Sequence, residues 1–236
     1  MMHLPKDYLD DLLIRMTHHS SAIENNTITL GETISILLHR IIPSKVSVRE
    51  FFEIENHRMA FMYIIDHIDQ ELTIAMVLDV HSLLMDRLHH ERGKFKSKEN
   101  VIVGASLQTA SPTETPSLMH QWIQNINNQI QRAKTPDDII ASVISSHIEF
   151  ERIHPFADGN GRTGRLLMMH ILLHNQVVPF VILKEHKQEY FKFLQNQEAE
   201  SFATYAKEII DKEQQRYNAF LNSIPEQQPR EMHRRC

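Results

Sequence analysis

Twelve consecutive residues, His154-Pro155-Phe156-Ala157-Asp158-Gly159-Asn160-Gly161-Arg162-Thr163-Gly164-Arg165, gather three of the chain's six glycines beside a histidine, a carboxylate, an amide and two arginines. Glycines at 159, 161 and 164 permit positive φ and close approach of the backbone to a ligand, so successive N–H groups can turn inward as a nest for an anion. Arg162 and Arg165 stand three apart, on one face of whatever helix follows, and the positive dipole end of that helix would point at the same spot. His154, at the entrance of the loop, is suited to take a proton from an incoming hydroxyl. Asp158 adds a hard oxygen ligand suited to Mg²⁺, the usual companion of a polyphosphate. These residues amount to a phosphate-handling loop with a base attached.

Helices must hold them. Pro5 followed by Leu9, Leu12, Leu13 and Met16 predicts an amphipathic helix toward Ile23. Thr29 with Glu32 and Ser47 with Glu50 have capping-box spacing, predicting helices near 30–42 and 48–68 with Pro43 between them. An apolar-periodic run from Ile74 to Leu88 follows. Between Arg92 and Pro112 the pattern changes, and Val101-Ile102-Val103 with Gly104 predicts a loop carrying a short hairpin. Pro112 and Pro116 open a helix through Arg132, and Thr135-Pro136-Asp137-Asp138 starts another that ends before Pro155. Arg162 to His174 is helical again, which puts the loop at that helix's N-terminus. Two more helices are expected near 184–198 and 200–222, and 224–236 reads as a disordered tail.

The bulk composition agrees. At 236 residues, with 42% hydrophobic and 23% charged content, the chain can bury a full core, and six glycines with nine prolines disfavour a loop-rich β fold. A net charge of −5 offers no global attraction for nucleic acid or an acidic membrane, so any cationic site must be local. The single cysteine, Cys236, permits no disulfide framework. Acids at 7, 10 and 11 and no long apolar run in the first thirteen residues argue against a signal peptide or membrane span, so a cytoplasmic location is expected.

The twelve-residue segment matches, at every specified position, the signature HxFx(D/E)GNGRxxR of the Fic (Fido) family, and the chain resembles that family. The resemblance implies an all-α Fic/Fido helical bundle with a small β-hairpin flap, organised as an N-terminal helical region (1–70), a catalytic core (71–223) and the tail. It also implies roles. His154 would be the general base, Asp158 the Mg²⁺ ligand, Asn160 with the Gly159 and Gly161 amides the cradle of the α-phosphate, and Arg162 and Arg165 the holders of the outer phosphates of ATP, with Gly164 also among the nucleotide-binding residues. The family's typical reaction transfers AMP from ATP to a Tyr, Thr or Ser hydroxyl of a target protein, self-modification included.

Ser20-Ser21-Ala22-Ile23-Glu24-Asn25 resembles the inhibitory sequence (S/T)xxxE(G/N) of regulated Fic proteins, in the class where that helix is N-terminal. By this resemblance Glu24 pairs with Arg165 and repels the γ-phosphate, with Ser20 and Asn25 completing the motif. The same carboxylate could orient a water, so removal of AMP, or both activities, stands as the alternative to addition. A non-catalytic binding module is disfavoured by the presence of histidine, acid, asparagine and both arginines. Val101, Ile102, Val103, Gly104, Ala105, Ser106 and Leu107 align with the family's flap, which docks the target as an added strand. Tyr190 and Phe191 resemble a segment whose aromatic can border adenine, an ordinary buried helix face being equally open. His147 reads as a packing histidine.

Overall fold

Four of the described helices begin where a side-chain oxygen meets an amide that has no intrahelical partner. Thr29 and Thr135 each accept from the backbone N–H three residues on, at 3.3 and 3.2 Å, while Glu32 and Asp138 reach back to the cap amide, closing two capping boxes. Ser47 and Thr73 cap in the simpler, one-way manner. The computed structural model describes residues 2–100 and 109–223, and among them the regular elements are α1 (Lys6–Ile23), α2 (Leu30–Leu37), α3 (Val48–Asp66), α4 (Ile74–Leu84), α5 (Thr115–Arg132), α6 (Pro136–Ile153), α7 (Asn160–His174), α8 (Lys187–Asn196) and α9 (Ala199–Asn222), with a 3₁₀ turn at Lys184–His186. The described residues are all-helical, as expected; the proposed hairpin flap, Val101 to Leu107, and the tail lie outside them.

The largest inward shifts of a helix end are two. The helix expected to reach 42 stops at Leu37, because Arg40 is left-handed (φ 57°) and turns the chain back toward α3 before Pro43. The run expected to reach Leu88 stops at Leu84, with Arg87 left-handed (φ 59°) beyond it.

The central element is α7. Every residue of it except Gly161 and His174 is buried, and it packs against α6, α4, α3 and α1. A helix buried all round lies inside a bundle, so the apolar residues of its later turns, which join the core, fix the axis of the site at its N-terminus. The expected N-terminal region and core share one buried cluster that runs from Tyr8 to Tyr217. Arg15 on α1 donates twice to Glu213 on α9, at 2.9 and 2.7 Å, tying the first helix to the last. No helix among the described residues is long and apolar enough to cross a membrane.

Candidate active site

The loop between α6 and α7 is shaped by two left-handed residues. His154 (φ 50°) ends α6 and Gly159 (φ 79°) opens α7, where a Cβ would lie 2.7 Å from Met85 Sδ. Between them Phe156 is fully buried, its ring stacked 3.7 Å from that of His81. Asn160 accepts from the Phe156 N–H and donates to the Phe156 carbonyl, both at 2.8 Å. Asn160 therefore clasps the loop rather than facing a ligand with its side chain, and the Gly159 amide is likewise engaged, donating to Asp158 Oδ1 at 2.6 Å. The first intrahelical bond runs from Thr163 N–H to the Gly159 carbonyl, so the amides of Asn160, Gly161 and Arg162 have no intrahelical acceptor and form the anion-binding end. At Gly164 the missing Cβ leaves room, at 2.8 Å, for Glu151 Oε1 and His147 Cε1.

The His154 side chain is 18% exposed, and its Nδ1 lies 3.2 Å from the Glu151 carbonyl. A carbonyl can only accept, so Nδ1 carries the hydrogen and Nε2 keeps the lone pair of a base. Burial pushes the imidazole down to about 4, Lys96 adding to the effect, so the ring is neutral at pH 7. The Glu151 carboxyl, 3.9 Å from both His154 and His147, is pushed up to about 8 by burial and is protonated at neutral pH.

Arg162 and Arg165 are both buried. Arg165 donates from Nε to Ser20 Oγ at 2.9 Å, from Nη2 to the Ser20 carbonyl at 3.0 Å, and from Nη2 to Glu24 Oε1 at 2.7 Å. Burial pushes the Glu24 carboxyl up, and the Arg165 charge and hydrogen bond outweigh it, so Glu24 stays below the ordinary carboxylate range. Its carboxylate lies so close over Gly161 that a Cβ there would overlap Oε1. Asn25 follows in the left-handed region (φ 70°), a conformation asparagine tolerates, which ends α1 with Glu24 at its tip. Ser20 and Glu24 thus meet Arg165 together, while the Asn25 side chain accepts from Lys187. Arg162 Nε and Arg165 Nη1 are buried donors with no acceptor among the described residues.

Asp158 Oδ1 holds Arg162 at 3.2 Å, while Oδ2 faces outward, 3.5 Å from Arg49. No group of three or more His, Cys, Asp or Glu among the described residues could hold a metal by itself. A lone carboxylate beside an anion-binding helix end fits a Mg²⁺ that arrives with phosphate oxygens and water as its other ligands.

Of the two alternatives open for Tyr190, its surroundings match the buried helix face. It is buried, its hydroxyl pairs with His147 Nε2 at 2.8 Å and its ring lies under Arg165, so it braces the arginine and has no face to offer adenine. Phe191 remains accessible, 40% exposed, beside Lys187, which donates to Asn25. Two contributors were missed in the sequence. His81 accepts from Gly93 N–H at Nδ1 and donates from Nε2 to the Asp158 carbonyl, both at 3.0 Å, and its signal was a histidine on the apolar stripe of α4. Glu151 was the other, recognisable as an acid three residues before His154 and four after His147 on α6.

Buried guanidinium donors at a helix N-terminus, with a neutral histidine on the same loop, are groups suited to a phosphate. Residues 71–172 match the model of the Fic/DOC family. The protein adenylyltransferase Fic of Drosophila erecta is 31% identical over 218 residues, 90% of this chain and 43% of that protein, and the one of Drosophila willistoni is 30% identical over the same shares. The chain spans less than half the length of these curated relatives. The crystal structure of a Fic domain containing signaling protein from Bacteroides thetaiotaomicron superposes with a TM-score of 0.74 at 27% identity, covering 80% of this chain and 73% of that one. Fic-1 of Caenorhabditis elegans, at 23% identity, shares the fold with a TM-score of 0.78 over 93% of this chain and 67% of its own. Residues 71–172 thus form a domain of the Fic/DOC family.

Proposed function

We propose that this protein is a Mg²⁺-dependent protein adenylyltransferase, restrained by Glu24, that moves AMP from ATP to a hydroxyl side chain of a protein. The observation that carries the reading is the pair of buried donors, Arg162 Nε and Arg165 Nη1, left without acceptors at the N-terminus of α7 beside a neutral His154. Phosphate oxygens supply the missing acceptors. The relatives named protein adenylyltransferase support the same reaction.

In this mechanism the free α7 amides hold the α-phosphate and the two arginines its outer neighbours. His154 Nε2 takes the proton of the target hydroxyl while its oxygen attacks the α-phosphorus in line. The new P–O ester bond forms, the bond to the bridging oxygen of the β-phosphate breaks, and pyrophosphate leaves. The Glu151 carbonyl holds Nδ1–H throughout, fixing the tautomer. Asp158 would hold Mg²⁺, which supplies charge neutralisation of the departing phosphates.

Two expected outcomes follow from these residues. EDTA should stop AMP transfer, and Asp158→Ala should be inactive at any practical Mg²⁺ concentration; turnover that persists in EDTA contradicts the assignment. The pH profile, measured in the Glu24→Gly chain, should stay level between pH 7 and 6 and lose half its rate as pH falls through about 4. The sign is that of a base whose protonated form is inactive. The groups facing it are Lys96, Glu151 and Asp158, with Glu24 removed. An acid limb near 6.5, the value of an ordinary imidazole, would show that His154 is not the desolvated base.

A further inference from the structure

Four consecutive carbonyls, those of Ile153, His154, Pro155 and Phe156, are each held by one of two residues from the segment after α4. Lys96 Nζ donates to the Ile153 carbonyl at 3.3 Å and the Lys96 amide to the Pro155 carbonyl at 2.8 Å. Asn100 Nδ2 donates to the His154 carbonyl at 3.3 Å and to the Phe156 carbonyl at 2.8 Å. Such regular engagement is not what a loop crossing a helix end requires; one or two bonds would satisfy the last turn of α6. The stretch so held contains His154 in its left-handed conformation, a geometry that is strained for an L residue and persists only where neighbours over-determine it.

The same pair reaches across to Thr109. Lys96 Nζ donates to Asn100 Oδ1 at 2.7 Å and to Thr109 Oγ1 at 3.2 Å, and Thr109 Oγ1 donates to the Asn100 carbonyl at 2.8 Å. Asn100 and Thr109 flank residues 101–108, so both flanks of that segment close on each other and on the backbone of the base through one buried lysine. Lys96 is only 3% exposed, and burial lowers its pKa, yet its acceptors are all neutral. A buried cation solvated only by a carbonyl, an amide and a hydroxyl is expensive unless its geometry is used. The carbonyl it takes lies at the C-terminus of α6, where the helix dipole favours a positive charge.

We propose that Lys96 and Asn100 are positioning residues for the transfer step: tied to each other and to Thr109, they fix the backbone of His154 so that the base meets the incoming hydroxyl in one orientation. The inference rests on the adenylyltransferase reading. It assigns Lys96 and Asn100 no contact with ATP; the phosphates lie at the α7 amides and the arginines, which neither residue touches. A base displaced by about 1 Å loses on the order of 10²-fold in rate while the nucleotide binds as before.

The experiment uses the full chain carrying Glu24→Gly, with Lys96→Met, Asn100→Ala, Thr109→Val or Thr109→Ser added. Self-labelling from ATP labelled on the α-phosphate gives kcat and the KM for ATP, calorimetry gives ATP affinity, and thermal melting reports folding. Lys96→Met, Asn100→Ala and the isosteric Thr109→Val should lower kcat by about 10- to 100-fold with ATP affinity within about 2-fold, and Thr109→Ser, which keeps the hydroxyl, should recover most of the rate. Parental kcat in these variants overturns the proposal, and so does a joint fall of kcat and ATP affinity, which marks a merely structural role. If Lys96→Met or Asn100→Ala melts below the assay temperature, the Thr109→Val and Thr109→Ser pair decides by the same two criteria. A Glu24→Gly parent that transfers no AMP would instead refute the adenylyltransferase reading, and the two failures are told apart by that control.

Discussion

Replacing Glu24 by glycine is expected to raise the rate of AMP transfer by about 5- to 150-fold, the range of coupling free energies between a regulatory group and a ligand. The carboxylate lies 2.7 Å from Arg165 and directly over Gly161, so it takes up both a guanidinium donor and the space at the helix end where an outer phosphate would sit. Self-labelling with ATP carrying the label on the α-phosphate should report the release, while label on the γ-phosphate should stay in solution with pyrophosphate. Arg165→Ala should not activate, because it removes the inhibitory pair and the phosphate anchor together. A second signature distinguishes release from a general loosening. Without Glu24 the Arg165 charge is buried and unpaired, so the variant should melt below wild type in the absence of nucleotide and be stabilised more strongly by Mg²⁺-ATP. Any capacity to strip AMP from a modified chain should fall in the same variant if Glu24 orients the water. Equal rates of AMP addition by wild type and Glu24→Gly at saturating ATP and Mg²⁺ would falsify the inhibitory role.

Loss of the His154 imidazole should cost about 10²- to 10⁴-fold in transfer, the usual contribution of a general base, with ATP affinity nearly intact. The separation follows from geometry: His154 is held by the Glu151 carbonyl on the α6 side of the loop, whereas the phosphate donors belong to α7. Position 154 is left-handed, where alanine is strained and asparagine is tolerated, so His154→Asn should be measured beside His154→Ala. A labelling assay paired with isothermal titration checks both halves. Full activity in either variant removes the base from the mechanism, and a parallel loss of ATP binding would move His154 to the phosphate side of the site.

Much of the fold was legible because helix ends are local events. Thr29, Ser47 and Thr135 cap where their spacing to an acid says they should, since a side chain that satisfies an amide three residues on needs nothing from the rest of the chain. The ends at Leu37 and Leu84 were misjudged because apolar periodicity runs on past the point where left-handed Arg40 and Arg87 turn the backbone, and that turn answers to where α3 and the loop after α4 must lie.

Within the site, the twelve residues alone determined the chemistry on offer: a base, a hard ligand, two arginines and a chain flexible enough to become a helix N-terminus. They determined it because residue type and spacing along one helix fix which groups share a face. Which of those groups stay free was decided only by packing. Asn160 turned to Phe156, the Gly159 amide to Asp158, Gly164 to the space that Glu151 and His147 fill, and Tyr190 beneath Arg165. His81, Lys96 and Asn100 enter from 54 to 77 residues away, through backbone atoms of the loop that no motif specifies. A sequence pattern records which donors and acceptors exist; a buried polar atom takes the partner that the closed fold brings within hydrogen-bond reach, and that choice is made in three dimensions because leaving it unpaired costs more than any local preference can return.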